Sequence, residues 1–155
     1  MSNTAQKLTT LLRILLGWFM FFAGLEKVLN PTWTAKDFLL HAQTFPQLYT
    51  WFAQPYNIIW IDPVNAWGIT LVGVAFLLGI FVRPAAWVGA LLMIMYYFPQ
   101  VAFPVVPHGY IVEEHLIYAT AFLLVAYLPL DNRFSLRKRL LASSLGNIPF
   151  FRKII

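Results

Sequence analysis

Two short stretches of the sequence place charged side chains inside or beside apolar runs. "GLEKVLNP" (24–31) sets Glu26 next to Lys27, and "HGYIVEEHLIY" (108–118) sets two glutamates directly before His115. A histidine beside a carboxylate can take up and release protons, and a lysine can pair with a carboxylate or hold an anion. Because the chain has only six acidic residues, both stretches are candidates for a proton-exchanging site.

The periodicity of a helix beginning near residue 112 puts Glu114 and Tyr118 on one stripe, with Glu113 and His115 flanking it on either side. We predict that Lys27 pairs with Glu114, which leaves His115 or Glu26 to titrate. The predicted catalytic residues are therefore Glu114, His115, Lys27 and Glu26. Polar residues at neighbouring helix ends are predicted to line the same pocket: Tyr118, Asp62, Asn65, Tyr96, Tyr97 and Gln100. The alternative, in which these charges only lock helices together or snorkel to the surface, stays open.

The composition places these stretches in a membrane. Of the 155 residues, 60% are hydrophobic and 11% are charged, whereas soluble domains average about 25% charged residues. Long apolar runs in so weakly charged a chain predict an integral membrane protein. We expect one membrane domain (1–133) followed by a basic amphipathic tail (134–155).

Four apolar segments have the length of a membrane span. Asp62 and Arg83 each precede a proline, which suits the first position of a helix because proline lacks an N–H. A bilayer core requires about 20 residues, and each segment holds roughly 18 to 22. The segments are 8–29, 62–82, 84–101 and 112–130. The sequence therefore predicts an all-α fold, a polytopic bundle of four transmembrane helices.

The first of these segments carries two basic residues, Arg13 and Lys27, that lie fourteen residues apart, about 21 Å along a helix axis. The hydrocarbon core is about 30 Å thick, so at least one of them starts inside it. Arg13, Gly17, Gly24 and Lys27 fall within one stripe of the helix, and glycines permit close contact between helices. We predict that this stripe faces the bundle.

The lysines and arginines predict the orientation, because positively charged loops stay in the cytoplasm. With four alternating helices, Lys27 and Lys36 fall on one side and nine basic residues fall on the other. Those nine are Lys7, Arg13, Arg83, Arg133, Arg137, Lys138, Arg139, Arg152 and Lys153. Both termini are therefore predicted to be cytoplasmic, in the cell (inner) membrane, with residues 30–61 and 102–111 facing outward.

The connection 30–61 contains two short amphipathic helical patterns separated at Pro46. Thr34 and Asp37 form a capping signal, and several tryptophans and tyrosines are typical of a membrane interface. We predict short interfacial helices, which could also form a lid over an outward-facing pocket. The tail is basic with leucines on one helical face, which predicts binding to anionic lipids of the cytoplasmic leaflet rather than to nucleic acid.

Several kinds of cofactor site are disfavoured. Without cysteine the chain has no disulfide, thiol relay or cysteine-held cluster. His108, Glu114 and His115 could hold a metal ion, but their spacing matches no strong ligand signature, so no metal is predicted. No two histidines are expected to face each other deep in the bundle, which disfavours haem.

The sequence resembles the DoxX family. "LLRILLGWFMFFAGLEKVLNP" is similar to its first-helix pattern, in which an arginine precedes a glycine and a second glycine precedes a lysine. "GVAFLLGIFVRPAAWVGALLMIMYY" resembles its middle section, and "EEHLIYATAFLLVAYLPL" resembles its fourth helix. The resemblance covers about residues 8–133 and implies a four-helix membrane protein. The family includes relatives of the DoxD subunit of thiosulfate:quinone oxidoreductase, which oxidises thiosulfate to tetrathionate and passes electrons to quinone.

The residues are compatible with such quinone chemistry. Quinone reduction needs an apolar slot and two protons, which a histidine and a carboxylate would deliver while tyrosines bond the carbonyls. We expect no covalently bound cofactor, quinone as a substrate, and the bilayer and a small redox subunit as partners. Two other functions stay open. One is a non-catalytic membrane anchor or assembly subunit of a redox complex. The other is a small multidrug exporter, although residues 14–25 lack the mid-membrane carboxylate that such an exporter needs.

Overall fold

The computed structural model describes residues 2–107, 109–130, 135–136 and 140–142. These residues are mostly helical, as predicted, and form six helices and one small hairpin. The elements are α1 (Asn3–Leu29), α2 (Lys36–Leu40), α3 (Pro46–Phe52), α4 (Pro55–Leu78), α5 (Val82–Gln100), β1 (Val105–Val106), β2 (Gly109–Tyr110) and α6 (Glu114–Tyr127). The antiparallel hairpin β1–β2 was not predicted.

The four long helices pack as two pairs around one apolar core. α1 packs mainly against α4, and α5 mainly against α6. Phe76 of α4 and Phe122 of α6 are fully buried, and their ring centroids lie 5.1 Å apart, so this contact joins the two pairs. α1 and α4 are long and apolar enough to cross a membrane, whereas α6 is a shorter apolar helix.

Glycines hold α1 against α4, as the stripe in the first helix predicted. Gly17 and Gly24 of α1 are buried, and a Cβ at either would collide with α4, at Phe76 and Thr70 respectively. Gly73 of α4 lies equally close to the α1 backbone at Phe21. A missing side chain at each of these positions lets the two backbones approach.

The second long helix begins earlier than the sequence predicted. A start at Asp62 was wrong, because α4 runs from Pro55 through Pro63 without interruption. Pro55 occupies the first helical position, where the absent N–H costs nothing, and Pro63 lies on an exposed face. Asp62 instead accepts a hydrogen bond from the Ala35 N–H at 2.9 Å, so it anchors the start of α2.

The connection between α1 and α4, residues 30–54, folds over one end of the bundle, and we call it the lid segment. The N–H groups of Gln43 and Thr44 donate to the carbonyls of Pro99 and Phe98, at 2.9 and 3.2 Å. These carbonyls belong to the last turn of α5, where helical partners are absent. The two predicted short helices are present as α2 and α3, and they cover this end of the bundle, which we call the lid end.

A proline in α5 explains a second attachment of the lid segment. Pro99 has no N–H, so the carbonyl of Met95, four residues earlier, loses its helical donor. The Tyr49 hydroxyl of α3 donates to that carbonyl at 3.0 Å. Tyr49 is 2% exposed, and burial raises the pKa of its phenol, which favours the neutral donor form.

At the opposite end, which we call the arginine end, two arginines bond to the last turns of helices. Arg13 is 1% exposed, and its Nη1 donates to the Phe76 carbonyl of α4 at 2.7 Å. The exposed Arg83 donates from Nε to the Ala126 carbonyl of α6 at 3.1 Å. Carbonyls in a last helical turn lack helical partners and carry partial negative charge. This role accounts for a buried cation in the first helix.

Only the start of the predicted amphipathic tail belongs to the described residues. Ser135 Oγ donates to the Gly79 carbonyl at 2.7 Å, and the Leu136 N–H donates to the Leu78 carbonyl at 2.9 Å, so the chain after α6 returns to the end of α4. Residues 137–139 and 143–155 of the predicted amphipathic tail and the candidate metal ligand His108 lie outside the described residues.

Candidate functional site

A histidine and a carboxylate meet at the lid end, where α6 begins. Glu113 is the N-cap of α6 and accepts a hydrogen bond from the His115 N–H at 2.9 Å through Oε2. The same carboxylate faces the His115 ring, with Nδ1 2.8 Å from Oε2 and 3.1 Å from Oε1. His115 is buried. An ionised carboxylate can only accept, so Nδ1 carries a proton, and the pair can hold a second proton as an imidazolium beside its counter-ion.

The other nitrogen of His115 faces α5. Its Nε2 lies 3.3 Å from Nε2 of Gln100, an exposed residue in the last turn of that helix. In the neutral ring Nε2 accepts from the amide NH₂ of Gln100. After protonation Nε2 becomes a donor, so the amide must then present its oxygen or give way to another acceptor.

Two tyrosine rings flank His115. The rings of Tyr96 on α5 and Tyr118 on α6 stand edge-on to the imidazole, with centroids 6.3 and 6.4 Å from it. The Tyr96 hydroxyl donates to Asn65 Oδ1 of α4 at 2.8 Å. Tyr118 reaches in the other direction, to Phe19 of α1, with 5.2 Å between ring centroids. The site therefore draws on all four long helices.

The predicted pairing of Lys27 with Glu114 does not occur as a direct contact. Glu114 is exposed at the first position of α6. The half-buried Lys27 donates from Nζ to the Ala23 carbonyl at 3.2 Å, and Nζ lies 5.4 Å from the centroid of the Trp33 ring. A long side chain can place its charge there without a carboxylate, so the predicted inter-helix ion pair is absent between these two residues. Glu26, its neighbour, is exposed.

The remaining predicted pocket residues divide between the site and the fold. Asn65, Tyr96, Tyr118 and Gln100 join His115, as described above. The Tyr97 hydroxyl instead donates to the Ile111 carbonyl at 2.6 Å and holds the chain ahead of α6, while Asp62 anchors the lid segment.

Glu113 is the one central residue that the sequence prediction did not include. Helical periodicity sets Glu113 beside the stripe and Glu114 on it. The signal that could have identified Glu113 is its position two residues before His115 at a helix start, because a carboxylate at the N-cap turns back to bond the next N–H groups.

The same cluster is the closest grouping of metal-binding atoms in the described residues. Single donor atoms of Glu113, Glu114 and His115 lie within 4.8 Å of one another. The Glu113 carboxylate already accepts from the backbone and ring of His115, so an ion bound there would have to displace the hydrogen bonds to the ring. The geometry suits proton exchange better than metal binding.

A family model described as DoxX matches residues 8–100, which is more than half of the chain. The chain belongs to the DoxX family. This DoxX-family match covers α1 to α5 and ends at Gln100, before the helix that carries His115. Together with the apolar helices α1 and α4, it identifies an integral membrane protein in contact with the lipid bilayer. No curated protein and no solved structure matches the chain.

Proposed function

We propose that this DoxX-family protein takes part in a quinone-linked redox system and that His115 delivers protons to the quinone. The observation that carries the proposal is the part-buried His115–Glu113 pair, whose imidazole contacts two aromatic rings. Histidine exchanges protons near neutral pH, and a carboxylate on Nδ1 orients the ring and stabilises the imidazolium. Apolar walls with a few polar groups are typical of sites for small ring-shaped ligands.

The proposed reaction balances with thiosulfate as the reductant. Two thiosulfate anions lose one electron each and join through a new S–S bond as tetrathionate. The quinone gains those two electrons and two protons and becomes a quinol. His115 gives the first proton from Nε2, is reprotonated from water beside the exposed Gln100, and gives the second by the same route. Electrons pass directly between the two substrates or through a partner subunit.

Lys27 is the proposed site of attraction for the anionic reductant. Its Nζ has one hydrogen bond, to a backbone carbonyl, and forms no ion pair within the described residues. An ammonium group has three donors, so two remain for an anion at the lid end. Glu26 and Glu114, both exposed, are proposed to exchange protons with water near the site.

The same proposal places the lid end on the outer side of the membrane. With the four crossings that we propose, the bias of lysine and arginine favours cytoplasmic termini. Fusions to alkaline phosphatase test this orientation, because the phosphatase is active only outside the cytoplasm. Activity is expected from an insertion at Gln43 and none from a fusion after Ile155, and the reverse pattern would contradict the orientation.

A non-catalytic anchor or assembly subunit is the second candidate, and a feature of the lid segment favours it. A shallow cavity of about 430 Å³ opens between α3 and the start of α4. The exposed aromatic side chains Trp51 and Tyr56 stand at its wall, together with Pro46, Gln47, Thr50 and Gln54. Exposed aromatic residues are frequent at protein interfaces, so this cavity is a candidate binding site for a soluble partner.

Reconstitution distinguishes the two functions. The protein is purified in mild detergent, bound quinone is extracted, and quinol formation from decyl-ubiquinone and thiosulfate is followed in proteoliposomes. Bound quinone and protein-dependent quinol support the enzyme. A stoichiometric soluble partner, without bound quinone and without quinol formation by the protein or by its complex, supports the anchor and contradicts the redox proposal.

A further inference from the structure

The two helix pairs also meet along α1 and α6, and we call this interface the seam. Phe19 of α1 contacts Tyr118 of α6, and the Tyr118 ring in turn contacts the His115 ring. Small residues close the interfaces within the pairs: glycines do so between α1 and α4, and Gly89 of α5 lies against Phe122 of α6. Between α1 and α6, near the lid end, an aromatic contact closes the interface instead. The Phe19 and Tyr118 rings meet there, and Phe19 is 44% exposed.

Tyr118 differs from the other tyrosines around the site in its hydroxyl group. The hydroxyls of Tyr49, Tyr96 and Tyr97 each donate to a protein acceptor. Within the described part of the chain, the Tyr118 hydroxyl makes no hydrogen bond. The Tyr118 hydroxyl is accessible, and its ring contacts the His115 ring. A polar group without a partner is costly in a bilayer, so an accessible hydroxyl there favours a ligand that brings an acceptor.

We infer that the seam is the route by which a quinone ring moves from the bilayer to His115. The side chains of Phe19 and Tyr118 form the two sides of its opening. This inference rests on the proposed function and adds a location to it. One carbonyl of the ring accepts from the Tyr118 hydroxyl, and the other faces His115. The isoprenoid tail stays among the lipid-exposed side chains of α1, where Trp18 and Phe22 stack with 6.4 Å between ring centroids.

The helix directions identify the level at which a reporter should sit. α1 and α6 run antiparallel in this bundle, so one turn toward the lid end from the Phe19–Tyr118 contact lie Phe22 on α1 and His115 on α6. Phe22 is 52% exposed and does not form either side of the opening. The chain has no cysteine, so a cysteine placed there is the single labelling site.

The experiment compares two fluorescent labels at a similar depth. Bimane is attached to Phe22→Cys in detergent, the protein is moved into nanodiscs, and decyl-ubiquinone is titrated as a quencher. Leu71→Cys is the matched control, because Leu71 is 60% exposed on α4, and the contacts of Gly24 with Thr70 and of Gly73 with Phe21 place it near the level of Phe22. Ile117→Cys on α6, 59% exposed, is a second reporter if the first variant folds poorly.

Binding in the seam predicts saturable quenching at Phe22→Cys or Ile117→Cys and only linear, collisional quenching at Leu71→Cys. Tyr118→Phe should weaken the saturable component about fivefold, the equivalent of one neutral hydrogen bond. Linear quenching at every position overturns the inference, and saturable quenching that Tyr118→Phe leaves unchanged overturns the role of the hydroxyl.

The outcome also separates this inference from the proposed function. Saturable quenching without quinol formation from thiosulfate leaves the seam site standing and removes the redox role. Quinol formation without saturable quenching leaves the redox role standing and removes the seam site.

Discussion

Replacing Arg13 with methionine should lower the free energy of unfolding of the bundle, because it removes a contact at the arginine end. The guanidinium is buried and bonded to the Phe76 carbonyl, and a hydrogen bond with a charged partner contributes about 1.5–3 kcal/mol. Favourable placement at a helix C-terminus adds up to about 2 kcal/mol when partly buried. Removing the cation also removes its desolvation penalty, so we expect a net loss of about 2–3 kcal/mol in the free energy of unfolding. Methionine keeps the apolar stem volume, which limits any contribution from a cavity.

Arg83→Met is the matched control for this prediction. Arg83 bonds the same kind of helix-end carbonyl, in Ala126, but its side chain is exposed, so its loss should cost less than about 1 kcal/mol. Reversible unfolding of both variants in mixed micelles of mild detergent and SDS measures the difference. Equal losses for the two variants, or a loss below about 0.5 kcal/mol for Arg13→Met, would refute the argument that burial strengthens this contact.

Two further substitutions test contacts described above. Lys27→Met and Glu114→Gln should act independently, because the two side chains form no ion pair. Their losses in the free energy of unfolding by SDS should add within about 0.5 kcal/mol. A coupling energy above about 2 kcal/mol would show that the predicted ion pair forms after all. Gly24→Ala should lower stability by about 1–3 kcal/mol, because its Cβ would meet Thr70. Gly68→Ala, where nothing lies within 4 Å, should be neutral or stabilising, and equal effects at both glycines would contradict close packing of α1 on α4.

The helices and the close-packed face of α1 could be predicted because they depend on local periodicity, although the partner of that face, α4, was not predicted. Apolar runs of the length of a membrane span locate the long helices, and the spacing of Gly17 and Gly24 identifies the face that needs close contact. The attachment of the lid segment could not be predicted. Tyr49 finds the Met95 carbonyl only because Pro99 frees it, and nothing local to residue 49 indicates which distant carbonyl is open.

The choice between two adjacent glutamates at the site could not be made from periodicity either. Helical spacing assigns Glu114 and Tyr118 to the inward stripe, but the inward face of α6 begins at His115 and continues through Ala119 and Phe122. Glu113 has extended backbone angles, φ −133° and ψ 166°, so the helical periodicity does not apply to it. A difference of one residue at the helix start decides which carboxylate meets the histidine, and sequence patterns locate helix ends less sharply than that.

The rate of quinol formation by His115→Gln most directly tests whether His115 is the proton donor. Wild-type protein, His115→Gln and His41→Gln are reconstituted into proteoliposomes with decyl-ubiquinone and thiosulfate. His41 is exposed in the lid segment, so its variant controls for the loss of a histidine elsewhere. A positioned general acid contributes about 10²–10⁴-fold. We therefore expect His115→Gln to lose at least about 100-fold in rate while His41→Gln stays near wild type. A folded His115→Gln protein that forms quinol as fast as the wild type would contradict the account.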